Sequence, residues 1–185
     1  MTPAGPFIST ERLLLRPLRV EDADDVLEYQ SDPGTVRYIP WPERSRDQVI
    51  EALQQHTANA FEAPAHDREF ALLAWTLRDG GKVIGQGNLG IESEQHGHAS
   101  IGWVTHPGFV RQGYALEATR ALIDWGFGAL GLHRLTATID TRNLASARLA
   151  ERLGMRLEAS HVDDEWFKGV WTSTWIYALL EREWR

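Results

Sequence analysis

The sequence predicts an α+β protein, mixed α/β in its connections, with a mostly antiparallel sheet of about seven strands flanked by helices. Three observations carry the prediction. Seven short segments have an apolar or alternating strand pattern, several neighbours among them are joined by glycine-bearing turns, and amphipathic helical segments are interspersed. A tight turn makes its two strands antiparallel, whereas a strand-helix-strand crossover permits a parallel pair, so the mixture defines the class.

The elements follow in order along the chain. Residues 12–16 form a short apolar strand closed by Pro17. Residues 20–26 open a helix whose first turn is rich in carboxylates, as the positive end of the helix dipole favours, and Pro33 with Gly34 ends it. Residues 45–61 place Val49, Leu53, His56 and Ala60 at helical spacing, with Pro40-Trp41-Pro42 as an irregular lead-in and Pro64 beyond the far end. The period then changes. Residues 70–77 and 82–91 are strands joined by Arg78-Asp79-Gly80-Gly81, a hairpin signal, and residues 99–105 form a third strand after the polar turn 94–97. Residues 114–130 set Ala115, Ala118, Leu122 and Trp125 against Glu117, Arg120 and Asp124 on the other face, so this helix lies on the sheet. Residues 135–140 alternate with period two, one face in the core. Residues 143–153 form a helix capped by Asn143 and ended by Gly154, and residues 156–167 and 170–180 form a last hairpin turning at Lys168-Gly169.

Composition narrows the function. A chain of 185 residues with 43% hydrophobic content is expected to fold as one domain, residues 1–185, with a sizeable core. The absence of cysteine excludes disulfide scaffolds, thiolate metal sites and a cysteine nucleophile. None of the seven histidines forms a pair at metal-ligand spacing, so no metal is expected. Residues 1–10 have neither a basic start nor a long apolar run, and no stretch nears the roughly 18 apolar residues of a membrane span. The expectation is a soluble cytoplasmic protein with no membrane partner. A formal net charge of −7 argues against a nucleic-acid partner, which needs a basic surface, and leans toward a cationic one.

The most informative stretch is residues 107–123, PGFVRQGYALEATRALI, where a helix begins just after a basic, glycine-containing bend. The first amides of a helix have no intrahelical acceptor and point along the positive end of its dipole, so they suit an anion. Gly113 permits close backbone approach and Arg111 adds charge; plain turn chemistry is the alternative. The bend lacks the Gly-Lys-Ser/Thr ending of a P-loop and the three spaced glycines of a dinucleotide fingerprint, which disfavours nucleotide hydrolysis and hydride transfer.

Three pieces of residues 99–158 carry a resemblance to a known family. They are Ile101-Gly102-Trp103-Val104, Val110-Arg111-Gln112-Gly113-Tyr114-Ala115, and Asn143-Leu144-Ala145-Ser146 followed by Leu153-Gly154-Met155. Together they resemble the acetyl-CoA-binding core of the GNAT superfamily of N-acetyltransferases. With Thr10-Glu11-Arg12-Leu13-Leu14-Leu15-Arg16-Pro17 at the start and Tyr177-Ala178-Leu179-Leu180 near the end, the chain is similar to the RimJ/RimL-type branch.

The resemblance implies a GNAT-like twisted sheet with a splay between its two central strands, and acetyl-CoA as co-substrate. It implies that the amides of Arg111, Gln112, Gly113, Tyr114 and Ala115 hold the pyrophosphate. The strand at Trp103, Val104 and Thr105 would pair with the pantetheine arm, a backbone N–H near Val104 would polarise the thioester carbonyl, and Asn143 would bond the arm. Two positions depart from the family pattern. Val110 stands where Arg or Gln often opens the loop, and Ala150 stands where many members have a tyrosine general acid.

Ser146 is the replacement candidate for that acid, because RimJ/RimL-type proteins share a serine three residues after the Asn and one turn brings it to the same helix face. Its alternative is a helix-start serine bonded to backbone. Glu92, at the end of the strand before the splay, is the candidate base, with His98 and Ser100 on the neighbouring strand; Glu92 also reads as a solvated turn residue. His106 contacts phosphate or caps the bend, and His133 is structural.

Tyr38 and Trp41 occupy the region that walls the acceptor site in similar proteins, and an aromatic wall suits an aliphatic or cationic amine. Trp166, Trp171 and Trp175 on the final hairpin line the acceptor slot or bury a homodimer contact, with a core place favoured for Trp175. Trp75 and Trp125 are core residues, and Arg16 is an edge ion-pair partner. The resulting expectation is direct attack on acetyl-CoA by a primary amine, either a protein N-terminal α-amine or a small molecule, with no cysteine for a ping-pong route. The alternative is a catalytically weak CoA-binding regulatory module.

Overall fold

The computed structural model describes residues 7–58 and 63–184, so Ala60 and Phe61, expected in the second helical segment, lie outside the described residues. Eight strands form one sheet: β1 (Ile8–Ser9), β2 (Leu13–Pro17), β3 (Phe70–Leu77), β4 (Val83–Ser93), β5 (His98–Thr105), β6 (Arg134–Asp140), β7 (Arg156–Phe167) and β8 (Val170–Leu180). Their order is β1-β2-β3-β4-β5-β6-β8-β7. Every neighbouring pair is antiparallel except β5 and β6, which are joined by a helix crossover and run parallel. The eighth strand is β1, whose two residues are too few for a period-two pattern to register.

Five helices complete the fold: α1 (Ala23–Gln30), α2 (Pro33–Val36), α3 (Arg46–Ala58), α4 (Tyr114–Gly128) and α5 (Leu144–Arg152). Pro33 does not simply end α1. It opens α2 at a position where its missing N–H costs nothing, while the Asp32 carboxylate caps the turn by accepting from the Thr35 N–H at 2.6 Å. Asn143 caps α5 as expected, its Oδ1 accepting from the Ser146 N–H at 3.1 Å, and Gly154 follows the helix with φ of 81°. The β7–β8 turn at Lys168-Gly169 has positive φ at both residues, the type I′ geometry that matches strand twist.

Two apolar cores lie on opposite faces of the sheet. α4 and α5 pack one face through Leu122, Ile123, Ala147 and Ala150 against Trp75, Leu89 and Leu135. α1 and α3 pack the other through Val26, Tyr29, Val49 and Leu53 against Ala74 and Val83. Trp75 is fully buried and Trp125 and Trp175 pack against the first core, as expected for those three. Arg16 corrects the edge assignment. β1 takes the outer side of β2 at Leu14 and Leu15, and Arg16 forms the expected ion pair in a buried setting, binding the buried Asp22 through two bonds, of 2.8 and 2.6 Å.

Candidate active site

β5 and β6 pair over only three positions, His98 with Arg134, Ala99 with Leu135 and Ser100 with Thr136. Beyond Ser100 the strands part, and a pocket of about 400 Å³ opens between them, lined by Ile101 to Val104 on one side and Ala137 to Asp140 on the other. The ladder on the far edge of β5 fixes which of its amides face this opening. The His106 N–H donates to Ile84 O at 2.9 Å, and the register pairs Val104 with Gln86. Backbone groups alternate sides along an antiparallel strand, so the Val104 N–H is turned to β4 while those of Trp103 and Thr105 face the splay. Of the amides near Val104, those of Trp103 and Thr105 are thus the ones presented to the opening.

β5 leads straight into the helix-start loop. Gly113 has φ of 87°, and a Cβ there would sit 3.2 Å from Arg12 Nη2. Arg111 also takes a left-handed φ, 61°, a conformation costing a non-glycine residue about 1–2 kcal/mol. Among the described residues, the N–H groups of Arg111 through Leu116 donate to no protein acceptor. Orphan donors arrayed at the positive end of a 15-residue helix fit a phosphate.

Arg12 holds this loop, a role the sequence reading did not assign. Its Nη1 donates to Gln112 O at 3.0 Å, its Nε to Glu117 Oε2 at 2.7 Å, and its guanidinium lies 4.2 Å from the Tyr114 ring centroid. Burial pushes the Glu117 carboxyl up, but bonds from Thr10 Oγ1, the Arg12 N–H and the Arg12 side chain outweigh it and leave the pKa lowered. The Gln112 side chain bonds Gly108 O within the loop at 3.0 Å. His106 is a structural brace: its Nδ1 accepts from the Gly108 N–H at 2.9 Å, which leaves Nε2 to donate to Glu28 at 2.8 Å.

Asn143 and Ser146 both line the pocket. Ser146 Oγ accepts from the Trp103 indole N–H at 3.2 Å, and its own proton goes to no protein group among the described residues. The helix-start alternative, a hydroxyl spent on backbone, is not what this geometry contains. Ala150 is fully buried in the core beside α4, so no acid can act from that position. Glu92 falls at the register shift near the end of β4, is exposed, and does not line the pocket. His98, Ser100 and His133 do not line it either.

The rest of the pocket is assembled from distant parts of the chain. Tyr38 and Trp41 line it, as expected for a wall, together with Phe70 and Leu72 of β3, Gln86 and Asn88 of β4, and His56 of α3. The absence of a side chain at Gly102 makes room for Asn88, whose Oδ1 lies 2.5 Å from where a Cβ would be. Gln86 is fixed by the buried Tyr29 hydroxyl at 2.8 Å and by Gln30 at 3.3 Å. Lys168, at the β7–β8 turn, donates to Val36 O and Trp41 O at 2.7 and 2.9 Å, tying the final hairpin to the acceptor wall. Trp166 lies outside the pocket, 61% exposed, in an edge-to-face pair with Trp171 at 5.4 Å.

His56 is the second residue the sequence reading missed in this role. Its ring meets Phe70 edge-on at 5.5 Å; burial first, and the nearby Arg44 second, push its pKa below the ordinary value, so the imidazole is neutral at pH 7. Asp140 is the one carboxylate in the lining, and it is committed. Burial raises its pKa, but three bonds from Arg142, at 2.8, 2.9 and 2.5 Å, outweigh that and keep it ionised.

A parallel strand pair that parts to lead an anion-ready helix start toward a walled pocket is the architecture of an acyl-CoA-dependent transferase. The family model described as an acetyltransferase (GNAT) domain matches residues 12–156, and the chain belongs to that family. It is 30% identical over 180 residues, 96% of this chain and 98% of the other, to the uncharacterized N-acetyltransferase YnaD of Bacillus subtilis strain 168. The crystal structure of a GNAT-family acetyltransferase from Bacillus anthracis superposes with a TM-score of 0.85 at 29% identity, covering 96% of this chain and all of that one. A more distant relative, 21% identical over 95% of this chain and 89% of its own length, is the spermidine N(1)-acetyltransferase of Escherichia coli K12. The protein is an N-acetyltransferase of the GNAT family, whose members use acetyl-CoA.

Proposed function

We propose that the chain transfers the acetyl group of acetyl-CoA directly to a primary amine bound between Tyr38, Trp41 and His56, giving an amide and free CoA. The observation that carries this reading is the meeting, at one strand opening, of the Asn143–Ser146 helix start and an aromatic-walled pocket. The unpartnered amides of Arg111 to Ala115 hold the pyrophosphate, and the opened side of Trp103 to Thr105 pairs with the pantetheine arm. Asn143 Oδ1 is spent on its helix cap, which leaves its Nδ2 donors for the same arm. When bound, acetyl-CoA supplies an activated acyl carbon.

The chain's own groups manage the protons. Of the titratable lining residues, Tyr38 donates to Arg142 O at 3.3 Å and Asp140 is tied to Arg142, while His56 makes no hydrogen bond among the described residues. His56, neutral at pH 7, takes the proton the attacking amine must shed, the role first given to Glu92. Ser146, with Trp103 occupying its lone pair, directs its hydroxyl at the departing sulfur and stabilises it by a hydrogen bond. A thiolate leaves readily, so this hydrogen bond suffices in place of the tyrosine missing at Ala150.

The relative named for spermidine supports an amine acceptor, and the Thr10-Glu11-Arg12 start with Ser146 supports the RimJ/RimL-type assignment. The test is release of free thiol from acetyl-CoA on a panel of amines and N-terminal peptides, with CoA binding followed by thermal shift. Binding together with amine-dependent thiol release is the expected result. Binding without turnover on any amine would make the chain a CoA-binding module instead.

A further inference from the structure

The acceptor end of the pocket is backed by a cluster of cations that lie against its lining residues without lining it themselves. Against a formal net charge of −7, four cations gather on the segment that walls it. The Arg44 guanidinium lies 4.7 Å from the Trp41 ring centroid, those of Arg37 and Arg142 lie 5.3 and 5.8 Å from the Tyr38 ring, and Lys168 holds Trp41 O. The carboxylates nearby are Asp140, taken by Arg142, and Glu43, which makes no ion pair among the described residues. Among the described residues Arg44 and Lys168 have no carboxylate partner, and Arg37 forms no salt bridge, although its charge helps to hold Asp140 ionised.

Arg44 is the most informative of the four. It is half-buried beside two lining residues, Trp41 and His56, and its one side-chain hydrogen bond among the described residues goes to a neutral oxygen, Gln30 Oε1 at 2.9 Å. Burial lowers its pKa with no neighbouring carboxylate to offset the loss of hydration. The Trp41 indole N–H on the same wall is buried and has no acceptor, so donors outnumber acceptors here. Of the other lining residues, Tyr38, Phe70 and Leu72 are aromatic or apolar and Gln86 and Asn88 are neutral amides, and among the described residues no free carboxylate in the lining would receive a second ammonium.

We propose that the acceptor is a small amine that also carries an oxyanion, a carboxylate or a phosphonate, read by Arg44 and Arg37 at the pocket mouth. This rests on the acetyltransferase reading and names its substrate class. It also reverses the inference from net charge, because a polyamine brought to this mouth meets guanidinium groups rather than carboxylates.

The experiment uses the full chain, acetyl-CoA, and a set of large and small amino acids, each beside its amide, its decarboxylated amine and its aminophosphonate, with spermidine as a further arm. Rates are expressed per unprotonated amine. The kcat/KM of the best carboxylate should exceed that of its amide by about tenfold or more, an advantage that shrinks as salt is raised. The phosphonate arm distinguishes the two oxyanions. Arg44→Gln and the exposed Arg37→Gln should each bring the carboxylate-to-amide ratio toward one. Equal or better use of the amide or of spermidine would overturn the proposal, as would a ratio unmoved in both variants. Absence of thiol release from every amine, with CoA still bound, would overturn the transferase reading and this inference with it.

Discussion

The proposed cofactor loop and the proposed acceptor pocket flank the same strand opening, yet they are built from different material. The loop presents backbone: amides of Arg111 to Leu116 with no acceptor, held in place by Arg12 from across the sheet. The pocket presents side chains drawn from the 38–41 segment, α3, β3 and β4. A backbone site tolerates change at most side chains provided the chain path survives. A side-chain site changes its ligand with each substitution. The shared chemistry of the family can therefore persist while the acceptor diverges.

Substitutions can break or sharpen that contrast. The largest effect should come where the two regions meet. Ser146→Ala removes the hydroxyl facing the leaving sulfur and should lower kcat by about tenfold to a hundredfold, with little change in CoA affinity. Steady-state kinetics beside CoA titration would check it, and an unchanged kcat would remove Ser146 from the mechanism.

Arg12→Leu tests how the loop is held. It removes the cation paired with Glu117, which keeps its bonds from Thr10 Oγ1 and the backbone N–H of residue 12, and should cost about 1 kcal/mol in denaturant unfolding, below the fully buried range because the Arg12 side chain is 40% exposed. CoA affinity should fall with it while acceptor KM stays near wild type. Trp41→Ala should do the reverse, raising acceptor KM several-fold, about 1 kcal/mol, without moving CoA affinity.

The smallest effect is a pH dependence. The His56 pKa is lowered in the folded state, so the unfolded chain takes up this proton first. The associated stability is fully present above about pH 6.5 and is lost as pH falls from there through the lower folded value. Wild-type protein should thus lose more stability between pH 7.5 and 5.5 than His56→Phe does, measured by urea unfolding. An equal loss in both would mean that His56 titrates normally.

The same contrast explains what was legible in the sequence. Elements set by local pattern were readable: the Gly80-Gly81 and Lys168-Gly169 turns, the Asn143 cap and the helix after Gly113 all depend on residues within a few positions. So was the cofactor loop, whose parts are contiguous. The acceptor pocket was only half readable. Tyr38 and Trp41 fall in one segment, but His56 and Asn88 meet them only through tertiary packing, and on its own helix His56 looks like any inward-facing residue. Glu92 illustrates the converse: its place at a strand end near the splay was legible, but the register shift that leaves it exposed and outside the pocket was not. The short β1 and the choice of which β5 amides face the opening also depend on pairing between strands, which no local pattern encodes.

The claim that backbone rather than side chain grips the cofactor is tested most directly by titrating CoA into three proteins: wild type, Arg111→Gly and Gly113→Val. Arg111→Gly keeps the amide and relieves its left-handed φ of 61°, so affinity should stay within about threefold of wild type. Gly113→Val forces a β-branched residue to φ of 87° against Arg12, a strain of about 1–2 kcal/mol or more, and should weaken binding about tenfold or more. If Arg111→Gly lost as much affinity as Gly113→Val, the grip would lie in the arginine side chain and the account would be wrong.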